Sequence, residues 1–201
     1  MPATAESLTG RHDSTRERLL AAARTLFVSR GYHLTRPQDI ARLAGVGYGT
    51  FYLYFTDKQA CFLAFVDAAR RELEQYLQPR VQQADRLDTY FAALIGGVLD
   101  YAAEHPGVLR AATADTSAIA AGDAPDLPRH WAAGWAQGLQ DAMRRGAVAA
   151  DYDLEIAGAI VVGAIGGAIA AAARGAARQA VIANAVRFLM RALEPRAVST
   201  G

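Results

Sequence analysis

Four residues, Ala44-Gly45-Val46-Gly47, constrain the fold of this chain more than any other stretch. They separate a segment that opens at Pro37 and carries Ile40, Ala41 and Leu43 from the octet Tyr48-Gly49-Thr50-Phe51-Tyr52-Leu53-Tyr54-Phe55. The fixed φ of proline suits a first helical position, and Gly45 breaks the pattern eight residues on. A connection this short fits two helices crossing closely, the spacing of a helix-turn-helix. Within the octet, Phe51 and Phe55 are four apart and are expected to face a core, which turns Tyr48, Gly49, Tyr52 and Leu53 outward. Exposed rings on so short a helix read either as mutual packing or as a contact surface.

The flanks read as helix too. Ser14-Thr15-Arg16-Glu17 has the form of a capping box and predicts a helix start at Ser14, followed by the stripe Leu19, Ala23, Leu26 and Phe27 and a left-handed stop at Gly31. Thr56-Asp57-Lys58-Gln59 predicts a second box and a long helix through Cys61, Phe62, Phe65 and Leu73 to about Leu77, ended by Pro79. Breakpoints at His105-Pro106-Gly107, Gly122 to Pro125 with Pro128, Arg145 to Asp153 and Gly175 predict helices near 85–104, 106–115, 128–145, 153–174 and 177–194. The termini, 1–12 and 195–201, lack periodicity and are expected to fray. Alanine fills 45 of 201 positions against 18 Gly and 7 Pro, which favours long helices and excludes a β-sandwich or barrel. The class is all-α.

Charge divides the chain. Residues 1–58 hold eight basic and five acidic groups, net +3, and the remainder thirteen against fifteen, net −2. With the change in texture near Phe55, this predicts a domain over 13–57 and a second over 58–195.

Taken together, Arg16…Leu20-Ala21-Ala22-Ala23…Leu26-Phe27…Gly31-Tyr32…Thr35…Asp39-Ile40-Ala41…Ala44-Gly45-Val46-Gly47…Thr50-Phe51-Tyr52…Tyr54-Phe55…Lys58 resemble the TetR family of bacterial transcriptional regulators over roughly residues 14–62. The resemblance implies an amino-terminal helix-turn-helix DNA-binding domain and a larger helical domain for ligand binding and dimerisation. It implies a repressor that binds palindromic double-stranded DNA and answers to a small-molecule effector. On this reading the DNA-binding residues are Arg36, Gly47, Tyr48, Gly49, Thr50, Tyr52, Leu53, Tyr54 and Lys58. The Tyr52 hydroxyl suits a phosphate, Gly49 lets backbone approach the groove, and Tyr48 and Leu53 suit base edges. Thr50 and Tyr54 resemble the family's phosphate-contacting positions, and Lys58 is expected to point its ammonium at the same backbone. Gly47 stands where the family commonly has a capping Ser, and Arg36 where a Thr often caps the second helix.

The run 156–173 has eighteen residues without a polar side chain, long enough to raise a membrane span. Twelve are Ala or Gly, which argues for a helix buried on both sides instead, with no membrane partner. Ile156, Ile160, Gly163 and Gly167 share one face, and Ile182, Val186, Leu189 and Leu193 form a stripe on the next helix. These predict a homodimer interface. Tyr90, Leu94, Val98 and Tyr101 on one helix, and Trp131 and Trp135 on another, read either as core or as the wall of an apolar effector cavity between 85–104 and 128–145.

Enzymatic readings fail on inventory. Histidines 12, 33, 105 and 130 are scattered, Cys61 has no nearby His or Cys, and Gly45-x-Gly47-x-Gly49 follows no predicted strand. Asp151, Asp153 and Glu155 suit a helix N-terminus rather than a metal. No cofactor is expected. A single cysteine and no secretory pattern suggest the cytoplasm. A helical small-molecule or interaction module without operator binding is the competing reading.

Overall fold

The computed structural model describes residues 5–114, 127–144 and 152–193. The breakpoint at 122–125, residues 145–151 with Asp151, and both extreme termini lie outside them. Among the described residues there are nine helices and no strand: α1 (Ala5–Leu34), α2 (Pro37–Leu43), α3 (Tyr48–Tyr54), α4 (Lys58–Val81), α5 (Leu87–Glu104), α6 (Val108–Ala114), α7 (Leu127–Arg144), α8 (Leu154–Ala173) and α9 (Arg178–Leu193). They form two compact units. One holds the described residues up to Arg71 with 106–114; the other holds 72–105, 127–144 and 152–193. Helix α4 contributes residues to both.

Two helix limits differ from the sequence expectation by more than two residues, the start of α1 and the end of α4. Helix α1 begins at Ala5, so Ser14 lies inside it and residues 5–12 are helical. No proline interrupts residues 5–13, and once a helix exists each further residue adds a hydrogen bond, which outweighs a local capping preference. Gly31 takes the positive φ of 78° expected of a left-handed stop, and a short helical segment to Leu34 follows it across a kink. Helix α4 continues past Pro79 to Val81. There Arg80 Nη1 donates to the Tyr76 carbonyl at 2.7 Å and the Gln82 N–H to the Gln78 carbonyl at 3.1 Å, so hydrogen bonding continues past the proline.

The first unit is built on aromatic packing. Phe27 from α1 meets Phe62 edge-on at 5.0 Å and Phe65 at 5.7 Å, and all three are essentially inaccessible. Each buried phenylalanine contributes about 1.5–3 kcal/mol relative to exposure. Helix α6 closes the unit against α1, where Arg110 donates to the Val28 carbonyl at 3.3 Å. In the second unit, Phe91 and Ile95 of α5, Leu139 of α7, Val161 and Ala168 of α8, and Val181 and Leu189 of α9 share one core. Helices α7 and α8 nearly touch: a Cβ on Gly158 would lie 2.3 Å from the Ala132 carbonyl oxygen. Helix α9 is tied to α5 by Arg178, which grips the Asp100 carboxylate with two hydrogen bonds at 2.9 and 2.8 Å.

Candidate nucleic-acid interface

Helices α2 and α3 are joined by a turn in which Gly45 takes φ +67°, a conformation that favours glycine. The turn is clamped from outside. Arg18 on α1 donates to the carbonyls of Ala44 and, at 3.2 Å, of Gly45, a role that no local pattern in the sequence announces. Asp39 receives Arg42 one turn away on α2 and lies 3.9 Å from Arg30 of α1. Arg36 is the N-cap of α2, with extended backbone, no capping side-chain bond and an exposed side chain.

Phe51 and Phe55 anchor α3 in the core, at 0% and 4% exposure. Tyr48, Tyr52 and Leu53 stand on the outer side at 47%, 44% and 73%. Gly47 serves as N-cap without a side-chain bond, and a Cβ on Gly49 would meet nothing within 4 Å. Thr50 and Tyr54 are half-buried at the margins of this face. The two outward tyrosines are not independent. Their hydroxyls share a hydrogen bond of 2.7 Å and their rings meet edge-on at 5.1 Å. Either hydroxyl can be the donor of that bond. Lys58 is placed differently from the expectation: its ammonium donates to the Tyr32 carbonyl at 2.9 Å and sits 4.1 Å from the Tyr32 ring centroid.

Residues 19–65 match the family model described as bacterial regulatory proteins, tetR family. Residues 19–65 are a TetR-family amino-terminal segment. The matched residues run from the buried Leu19 of α1 to the buried Phe65 of α4 and so include the α2–α3 turn. A TetR-family transcriptional regulator from Pectobacterium atrosepticum is 27% identical, with 93% of this chain and 98% of that one covered and a TM-score of 0.64. A gamma-butyrolactone receptor described as ArpA-like is 24% identical over 92% and 90% of the two chains, with a TM-score of 0.67. FadR from Bacillus subtilis, solved with stearoyl-CoA, is 16% identical over 89% and 99%, with a TM-score of 0.68. No curated protein sequence matches.

In the second unit the expected effector residues fall into two sets. Leu94, Val98 and Tyr101 are buried, and Tyr101 packs on Tyr76 at 5.5 Å and His105 at 4.4 Å. Tyr90 and Trp135 are half-buried: Trp135 stacks on Phe91 at 5.2 Å and meets Tyr90 edge-on at 5.7 Å. Burial raises the Tyr90 phenol. Trp131, one turn earlier on α7, is also half-buried. A separate open cleft of about 410 Å³ lies between α7 and α8, floored by Ala132, Ala136 and Ala159 and edged by Arg129, Gln137 and Glu155.

The α8 face expected at a dimer contact is exposed. Ile156 and Ile160 are 61% and 56% accessible, and Gly163 and Gly167 continue the same side with open space around them. The α9 stripe turns inward instead, since Leu189 is 1% exposed and Ile182 and Val186 pack on the same core. Phe188, at 61%, is the large apolar residue α9 leaves outside, and the sequence reading did not single it out. Among the described residues α8 is the one helix long and apolar enough to cross a membrane by length and composition.

Proposed function

We propose that this chain is a ligand-responsive TetR-family transcriptional regulator, a repressor that binds a palindromic operator as a homodimer. The observation that carries the reading is the division of α3: Phe51 and Phe55 hold it in the core while Tyr48, Gly49, Tyr52 and Leu53 stay outside. A recognition helix needs this arrangement, one face fixed and the other open to a major groove. The exposed Arg36 adds a phosphate-binding cation beside it. The basic amino-terminal segment supports the same reading, because phosphate contacts supply most of the sequence-independent affinity.

A second copy covers the face of Ile156, Ile160, Gly163 and Gly167, with Phe188 at the same contact. Exposed isoleucines on a helix this apolar favour a protein partner, and the small residues allow close approach. The effector is apolar or aromatic and enters between α5 and α7, parting Trp135 from Tyr90 and Phe91. Stearoyl-CoA on FadR supports a fold that admits such ligands. The domain limits 13–57 and 58–195 assign DNA contact to α1–α3 and the effector and dimer to the rest, with α4 carrying the signal. The protein acts in the cytoplasm without enzymatic activity.

A mobility-shift assay with a palindromic duplex and a scrambled duplex of equal length tests this. Selective retardation of the palindrome is the expected result. Absence of any selective shift favours the competing reading, a ligand-binding or interaction module without an operator.

A further inference from the structure

The hydrogen bond between Tyr48 and Tyr52 does more than hold two rings together. Each phenol has one proton and two lone pairs. When two such hydroxyls bond to each other, one proton is directed inward and the other stays available to the outside. The pair thus presents one outward donor, on the hydroxyl that accepts the internal bond. The hydroxyl that donates internally can only accept from outside. A phosphate oxygen is solely an acceptor, so it must take the available proton. The other tyrosine is then left with lone pairs toward the groove.

Position on the helix decides which is which. Tyr48 is the first residue of α3 and Tyr52 stands one turn later. Base edges are met by the N-terminal residues of a recognition helix. Both phenols are about half exposed, so neither is committed to the core. Gly49, between them in sequence, has open space where a side chain would stand.

We propose that Tyr48 is a specificity-determining residue whose oxygen accepts a hydrogen bond from the exocyclic amine of an adenine or cytosine, because Tyr52 on a phosphate fixes the proton of Tyr48 inward. In the major groove adenine presents N6 and cytosine N4 as donors, whereas guanine O6 and thymine O4 present acceptors. An acceptor-only phenol meets the first pair favourably and the second with repulsion of lone pairs. The internal bond turns a residue that otherwise bonds either kind of base into one that distinguishes them. This rests on the operator-binding reading above.

The test is selection from a random-sequence duplex pool with four full-length proteins: wild type, Tyr48→Phe, Tyr52→Phe and the double variant. Removing an exposed hydroxyl leaves both rings in place, and a melting curve for each protein checks the fold. The wild type is expected to enrich adenine or cytosine at one position of each half-site. Tyr48→Phe should reduce that preference about tenfold, the lower part of the range for one discriminating contact. Tyr52→Phe should relax the same position although its own ring meets no base there, and the double variant should add nothing further. A wild type that enriches a palindrome in which Tyr48→Phe or Tyr52→Phe leaves every position unchanged overturns the inference and spares the operator reading. Enrichment of guanine or thymine at the Tyr48-sensitive position overturns it equally. A wild type that enriches no duplex overturns both.

Discussion

Lys58 reaches back from the first residue of α4 to Tyr32, donating to its carbonyl at 2.9 Å with the ammonium 4.1 Å from the ring centroid. The contact joins α4 to the final turn of α1 within one unit. A charge-assisted hydrogen bond with a cation–π contact is worth about 1–2 kcal/mol at a half-buried site. Lys58→Ala should therefore lower the unfolding free energy by that amount, read from denaturant unfolding. It should leave the salt dependence of DNA binding unchanged, whereas loss of a phosphate contact would flatten the slope by about 0.9. Measuring both separates a structural from a DNA-contacting lysine.

Two glycines of α8 should behave in opposite ways. At Gly158 an added methyl would sit 2.3 Å from the Ala132 carbonyl oxygen, a backbone atom that cannot move alone. Gly158→Ala should destabilise the second unit by about 1–3 kcal/mol, read from its melting curve. Gly163 has open space instead, so Gly163→Leu should keep the helical content of the chain, read from circular dichroism. Sedimentation at micromolar concentration should then show a dimer for the wild type and a monomer for Gly163→Leu. A wild-type monomer would refute the association.

Cys61 is fully inaccessible, and burial pushes its thiol up to about 12, with nearby Arg16 offsetting part of the rise. Its folded value lies above the ordinary 9, so the unfolded chain ionises first as pH increases. The stability this thiol contributes is intact below about pH 9 and is lost as pH climbs toward 12. A thiol reagent at neutral pH should leave the folded protein untouched and label it once denaturant is added. Rapid labelling without denaturant would contradict the burial.

The effector reading places a reporter in the site. Separation of Trp135 from Phe91 and Tyr90 should shift the tryptophan emission when a compound releases the protein from DNA, and Trp135→Leu should alter that compound's affinity. If neither occurs, the α7–α8 cleft beside Gln137 becomes the site.

Local signals were the legible ones. Pro37, Gly45 and the spacing of Phe51 and Phe55 set α2, the turn and the buried side of α3, because each acts within a few residues. The Tyr48–Tyr52 pair could have been read from its four-residue spacing. Periodicity also found both apolar stripes of the second unit, but it reports a face and not what covers it. Leu189 and Ile182 proved to be covered by their own unit, while Ile156 and Ile160 stay outside. The clamps of Arg18 on Gly45 and Lys58 on Tyr32 span 27 and 26 residues, and contacts of that reach leave no periodic trace.

Gly49 offers the most direct test of the claim that the outer face of α3 meets DNA. A side chain there meets nothing within 4 Å, and replacing a helical glycine gains up to about 1 kcal/mol in helix propensity, so Gly49→Glu should fold at least as well as the wild type. Its carboxylate would stand on the face turned toward the phosphates. The account predicts an unchanged or raised melting temperature together with loss of operator affinity of 100-fold or more, on the order of two or three lost or opposed contacts at about 1–3 kcal/mol each. Operator binding by Gly49→Glu within a few-fold of wild type would contradict it.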